Sequence, residues 1–371
     1  MNLIPNNKNR LLSLDVFRGL TIVCMIIVNS AGTDLPYPIL DHATWNGCTL
    51  ADLVFPFFLF IVGLTSTISL RKHQQDPTQD IYWVIFKRSL ILFLLGLWLN
   101  AFPIHSDLTT LRIYGILQRI AICYFISSLI YLKTEWRTQL VIFIGLLIGY
   151  WILMTLVPVP GFGAKQLTPD GSWVAYMDQL LFPATHLYNK VYDPEGFLST
   201  FTAVASTLSG VLIGQVLLST TSPIKKCALI FSLGLVAVIC AWFWSWDFPI
   251  NKNIWTSTFV LWTSGLAAMI FASCYGIIDI AGFTRWAWPL KVFGMNALFA
   301  FVFHVMLLKS QSVIHFNLAN GQSVNINQWI THYLFSGFSE QNASLLFSLS
   351  FLLLNFVVVL ILYRRKIFIH I

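Results

Sequence analysis

Ten stretches of about 20 predominantly apolar residues divide this chain, and a run of that length is what crosses a hydrocarbon core as a helix. They fall at roughly 12–31, 50–70, 82–102, 112–132, 138–157, 199–219, 227–245, 255–278, 290–308 and 343–363. In lipid the backbone must satisfy its own polar groups, so such runs fold as helices rather than as open strands. Of the 371 residues only 10% are charged and 57% are hydrophobic, far from the roughly 25% charge of a soluble domain. The expected fold is all-α: an integral membrane, polytopic bundle of about ten transmembrane helices, with 1–371 as a single transmembrane domain.

The charges between the spans set an orientation. The net charge of +7 comes from Lys and Arg residues in small groups between apolar runs, a topology signal and not a nucleic-acid face. With the N-terminus inside, fifteen of them, including Lys8, Arg10, Arg71, Lys225 and Arg285, fall on the cytoplasmic side. Five fall outside (Arg112, Lys165, Lys190, Lys252 and Lys309), and Arg18 and Arg119 lie within spans. Both termini are therefore expected in the cytoplasm, and the outer loops at about 31–49, 159–199 and 309–342. The second loop is rich in Gly, Pro, Asp and aromatic residues, a composition that suits an ordered lid better than a linker. The first apolar run continues through Ile27 with no small-residue cleavage site and reads as a retained helix. The six cysteines show no CxxC spacing, so neither a disulfide framework nor a zinc site is expected. No internal repeat is evident.

The densest polar cluster follows the first span: Asn29, the run Asp41 to Gly47 with His42, Trp45 and Asn46, and Thr49 to Pro56 with Asp52. At the outer face the His42 imidazole can exchange protons with water and act as a base; the alternative is an interfacial histidine beside an interfacial Trp45. Thr49 and Asp52 have the spacing of a capping box, so Asp52 either caps the second helix or serves the site. Pro56 would release the Asp52 carbonyl from helix bonding. Arg18 stands three residues after Asp15, which makes an intrahelical ion pair one reading and a ligand site the other. Arg119 has no local acid and needs a partner from another helix or a bound anion. Asn296 and His304, in the ninth span, are candidates for interhelical hydrogen bonds or for substrate contact.

Several short motifs, in order along residues 10 to 308, carry a resemblance. Leu14 to Gly19, His42 to Gly47, Ala51 to Pro56 followed by Phe60 to Gly63, Gly115 to Arg119, Tyr192 to Gly196, Asn251 to Asn253 and Gly294 to Ala297 together resemble the heparan-α-glucosaminide N-acetyltransferase family. The resemblance implies transfer of an acetyl group from cytoplasmic acetyl-CoA to the amine of a glucosamine-type sugar on the far side of the membrane. It suggests a bacterial member in the inner membrane, because the chain starts almost at the Asp15 to Arg18 motif, without the lumenal domain and extra helix of animal relatives.

The family's catalytic histidine falls on His42 and its first-helix asparagine on Asn29, with a longer gap between them here. His42 would take the amine proton, Asp52 would orient it, and Asn29 or Asn46 would donate to the oxyanion; a route through acetyl-His42 is the other scheme. Trp45, Asn46, Asn296 and His304 would contact the sugar, and Asp15, Arg18, Gln118 and Arg119 the CoA. The implied partners are acetyl-CoA, an amino-sugar acceptor and membrane lipid, with no metal and no nucleic acid; a homodimer is open. Two other classes fit the residues: a secondary transporter using Arg119 and His304 at the midplane, and an O-acyltransferase of a surface glycan or lipid.

A reporter fused after Glu195 should read outside and one after Lys226 inside, because charge asymmetry brackets the sixth span. Both reporters on one side would overturn the orientation.

Overall fold

The structure, a computed structural model, describes residues 11–74, 77–103, 108–317 and 323–369, so Lys8 and Arg10 of the expected inner set lie outside the described residues. The helices are α1 (Leu12–Asn29), α2 (Leu50–Leu70), α3 (Gln79–Ala101), α4 (Ile116–Lys133), α5 (Trp136–Thr155), α6 (Trp173–Leu181) and α7 (Phe197–Leu218). They continue with α8 (Pro223–Trp244), α9 (Ser257–Cys274), α10 (Trp288–Met295), α11 (Ala297–Val313), α12 (Ile326–Phe335) and α13 (Glu340–Arg364). A short hairpin, β1 (His315–Asn317) and β2 (Ser323–Asn325), precedes α12. Nine helices among the described residues are long and apolar enough to cross a membrane, and the bent pair α10–α11, counted as one span, makes ten. The chain is an all-α, multi-pass membrane protein.

Burial separates an inner ring from an outer one. In its most apolar window, α7 is 72% buried and α2 67%, whereas α3 is 11% and α8 17% buried. Lipid tails offer no hydrophobic drive for helices to associate, so close packing at small residues takes over. A methyl group on Gly63 would stand 1.9 Å from the Thr207 carbonyl oxygen, and one on Gly210 2.0 Å from that of Phe60, so α2 and α7 touch backbone to backbone. Gly19 and Gly294 do the same for α1 and α10: each Cβ would lie 1.8 Å from a carbonyl oxygen of the partner helix, Leu290 and Asp15 respectively.

Polar groups finish the helix ends. A π-helical turn, Tyr275–Ile280, extends α9 and carries Asp279, whose Oδ2 accepts from the Ser13 N–H (3.2 Å) in the first turn of α1. Lys309 donates to the carbonyls of Leu99 (2.6 Å) and Phe102 (3.1 Å), placing a cation at the C-terminal end of α3.

The ninth span departs from the continuous helix expected over 290–308. It bends by 70° at Asn296, whose backbone (φ −126°, ψ 37°) is not helical. The Asn296 side chain explains why the break is held: its Nδ2 donates to the Ile367 carbonyl (3.1 Å) and its Oδ1 accepts from the Ile369 N–H (3.1 Å). The amide thus clips the segment after α13 into the elbow. The fourth helix starts at Ile116 and not at 112, which leaves Arg112 in the preceding loop.

Gly210→Ala and Gly294→Ala should each lower the melting temperature in detergent, at a cost of about 1–3 kcal/mol of overpacking. Gly145→Ala, whose Cβ would meet nothing within 4 Å, should not. Equal melting temperatures for all three would contradict the backbone contacts.

Candidate active site

Alternating helix direction gives the bundle two ends. One holds the start of α2, the other the start of α1, with His42 and Arg18 marking them.

At the His42 end the site grows out of a helix cap. Thr49 precedes α2 in extended conformation, and Asp52, in its first turn, reaches back so that Oδ2 accepts from the N–H groups of Thr49 (3.1 Å) and Ala43 (3.1 Å). The other oxygen, Oδ1, meets His42 Nδ1 at 2.7 Å and Lys252 Nζ at 3.4 Å. Capping and contact with His42 are therefore made by the same carboxylate. With Nδ1–H donated to a carboxylate, Nε2 carries the lone pair, and the ring is 48% exposed. The Lys252 ammonium lies 3.1 Å from Nδ1 and 3.5 Å from Nε2.

The loop carrying His42 is latched on both sides. Trp45 donates Nε1–H to the Leu167 carbonyl (2.9 Å) and meets the Tyr192 ring edge-on at 5.6 Å, which joins it to the 156–196 segment. The Gly47 N–H donates to Ile250 O (2.8 Å), and Asn251 Nδ2 to Asn46 Oδ1 (3.1 Å). Toward the C-terminal helices, the Gly32 N–H bonds Ser344 Oγ (3.1 Å) and Tyr37 bonds Asn342 (2.7 Å).

Beside the latch stands a buried charge network. Arg112 grips Asp193 with Nε (2.8 Å) and Nη2 (2.5 Å), and also pairs with Glu195. Burial opposes the Arg112 charge, but the two carboxylates hold its guanidinium above the ordinary value. Burial likewise opposes the Asp193 charge, and Arg112 reverses this, holding the carboxyl below the usual range. Asp178, on α6, accepts from the N–H groups of Asp193 (3.0 Å) and Phe197 (3.1 Å), and burial pushes it up to about 6. These bonds fold the Tyr192 to Gly196 turn onto the start of α7. Breaking such a pair by removing one member typically costs about 3–5 kcal/mol.

Arg119 belongs to this neighbourhood. It is 1% exposed, donates Nη2–H to the Gly196 carbonyl (3.1 Å) and to Ser199 Oγ, and stacks over the Trp255 ring at 5.0 Å. Its partner is thus the start of α7. Gln118, also buried, donates to the Ile113 carbonyl (3.1 Å) and packs against Gly96.

The Arg18 end opens into a cavity of about 280 Å³ between α1, α2, α3, α4 and the α10–α11 elbow. Its lining is apolar apart from Arg18 and Thr65 and runs past Val62, Phe58 and Leu298 to Ile116, the first residue of α4. Arg18 pairs loosely with Asp15 (3.6 Å) and reaches the Gly294 carbonyl at 3.4 Å.

The structure therefore brings together His42, Asp52, Trp45 and Asn46, and separately Asp15 and Arg18. Arg119 and Gln118 sit at the His42 end, facing α7 and α3, and do not join Arg18. Asn296 lies at the Arg18 end with both amide atoms bonded to the C-terminal segment. His304 is fully buried on α11, edge-on to Phe351 at 5.4 Å, and neither ring nitrogen has a hydrogen-bond partner among the described residues. Asn29 ends α1 exposed and makes no side-chain hydrogen bond among the described residues. By charge alone Lys252 and Arg112 read as outer-face cations; the motifs Asn251 to Asn253, which contains Lys252, and Tyr192 to Gly196, which contains the Arg112 partners, are the signals that point to them. Among the described residues no group of three or more His, Cys, Asp or Glu is placed to hold a metal ion.

Comparison with known proteins bears on this arrangement. Residues 10–240 match the family model for heparan-alpha-glucosaminide N-acetyltransferase, catalytic, a stretch that includes His42, Asp52, Arg112, Arg119 and Asp193 but not Lys252, Asn296 or His304. The human heparan-alpha-glucosaminide N-acetyltransferase is 29% identical over 355 residues, 80% of this chain and 52% of its own length. The mouse protein of the same name is 28% identical over 378 residues, 86% of this chain and 56% of its own. The chain thus spans about half the length of these relatives. It belongs to the heparan-alpha-glucosaminide N-acetyltransferase family.

Proposed function

We propose that this protein is a transmembrane N-acetyltransferase that carries the acetyl group of acetyl-CoA to the amine of a glucosamine-type sugar on the opposite side of the membrane. The observation that carries the reading is the His42–Asp52 pair, its imidazole half-exposed at one end of the bundle, combined with an apolar cavity that starts at Arg18 near the other. A long, thin thioester arm matches such a cavity, and a cation at its mouth suits the phosphates behind it. By the positive-inside rule the Arg18 end faces the cytoplasm, where acetyl-CoA is made, and both termini share that side. In a bacterial cell this places the sugar in the periplasm and the protein in the inner membrane.

In the reaction, the sugar amine attacks the thioester carbonyl while Nε2 of His42 accepts its proton, and Asp52 holds the ring through Nδ1–H. Trp45 and Asn46, on the latched loop, stand beside the acceptor. Asp15 and Arg18 are the CoA candidates nearest the cavity mouth, since Arg18 lines it while Gln118 and Arg119 are buried at the His42 end.

His42→Ala should lower turnover by at least about 100-fold, the usual contribution of a general base. Acetyl-CoA binding, set by groups nearer Arg18, should be preserved. His42→Asn keeps a hydrogen bond to Asp52 but cannot take the proton, and should be nearly as inactive. Turnover of His42→Asn near that of the wild type, with both substrates saturating, would remove His42 from the chemistry. Acetyl transfer to hydroxyl acceptors alone would favour an O-acyltransferase, and sugar uptake without acetyl-CoA binding a transporter.

A further inference from the structure

The His42–Asp52 pair supplies a base but no charge for the oxygen of the thioester, which turns anionic when the carbonyl is attacked. Three candidate donors stand in this part of the molecule. Asn29 is exposed and makes no side-chain hydrogen bond among the described residues, and Asn46 is exposed with its Oδ1 occupied by Asn251. Both are neutral. Lys252 is charged, only 19% exposed in its side chain, and within 3.5 Å of the ring nitrogen that takes the proton.

We propose that Lys252 is a catalytic residue of the transfer, its ammonium receiving the thioester oxygen as that oxygen gains charge. The inference rests on the N-acetyltransferase reading of the site and extends it. Nζ is roughly equidistant from Nδ1 (3.1 Å) and Nε2 (3.5 Å), so it sits against the ring, off the Nε2 lone pair that the proton needs. One of its three N–H groups faces Asp52 Oδ1 at 3.4 Å, leaving donors for an oxygen brought next to Nε2.

Lys252 is also held in place before substrate arrives. It belongs to a turn in which Asn251 Oδ1 accepts from the Ile254 N–H (3.1 Å), the Asn251 carbonyl from the Thr256 N–H (3.1 Å) and the Lys252 carbonyl from the Trp255 N–H (3.1 Å). Trp255 is buried there with φ +49°, an uncommon conformation for a side chain of that size. A donor fixed in advance needs no reorganisation when charge develops.

The step balances as follows. The amine nitrogen bonds to the carbonyl carbon, the carbonyl π pair moves to oxygen beside Nζ, and the N–H proton passes to Nε2. The oxygen pair then returns, the C–S bond breaks, and the sulfur leaves with the proton from His42. The products are the acetamide and the free thiol; Lys252 keeps its protons throughout.

The full-length protein in detergent tests this with Lys252→Met and Lys252→Arg. Loss of one oxyanion donor costs about 10²- to 10³-fold in kcat, so Lys252→Met should lose that much with KM for acetyl-CoA and amine changed less than threefold. Lys252→Arg should regain at least tenfold over Met. A kcat for Lys252→Met within threefold of wild type, or an Arg variant as slow as Met, would overturn the assignment. The same variants are measured for slow release of CoA to water, in which the same thioester oxygen gains charge while water takes the place of the amine. Wild-type hydrolysis that Lys252→Met abolishes supports the role of Lys252 even if no amino sugar is acetylated, whereas hydrolysis equal in both overturns it.

Discussion

The Asp52 carboxylate is the interaction on which the rest of the site depends. One oxygen closes the first turn of α2 and ties down the 41–49 loop through the N–H groups of Ala43 and Thr49; the other fixes the His42 tautomer and anchors Lys252. A capping box finishes a helix start with a side chain at N3 that reaches back to the N-cap backbone. Here the acid that finishes it also bonds the His42 ring, so the imidazole is referenced to the first turn of a transmembrane helix. Pro56, one turn further on, is carried within α2 without ending it.

The segments around His42 are held to the helices by charge pairs and backbone bonds. Arg112, about a quarter exposed, pairs with the buried carboxylates of Asp193 and Glu195, and Asp178 takes the backbone donors of the turn they form. Arg119, a full charge with little water around it, completes the same joint from α4 by bonding the start of α7. The segment that looks like a lid in the sequence is thus a fixed wall, held by buried ion pairs whose disruption is costly.

Much of this is legible in the amino-acid sequence and some is not, for physical reasons. The crossings are legible because each is a local property of about 20 residues, and the His42–Asp52 relation because a capping box fixes Asp52 close to the loop it follows. The placement of Lys252 depends on a pairing across 210 positions, between the α8–α9 loop and the loop before α2, which no local pattern encodes. The elbow at Asn296 depends on a C-terminal segment more than 70 residues away. Arg119 reads as a mid-membrane ligand in a span drawn from 112, but α4 starts at Ile116, which moves its guanidinium to the His42 end.

The central claim is that one site is served from two sides of a membrane, with the cavity beginning at Arg18 as the route for the thioester. Sealed vesicles holding the purified protein in one known orientation test it most directly. Labelled acetyl-CoA is supplied only on the Arg18 side and glucosamine only on the His42 side. Acetylated sugar accumulating on the His42 side, with CoA released on the Arg18 side, is the predicted result. Product that forms only when both substrates share a compartment would contradict it.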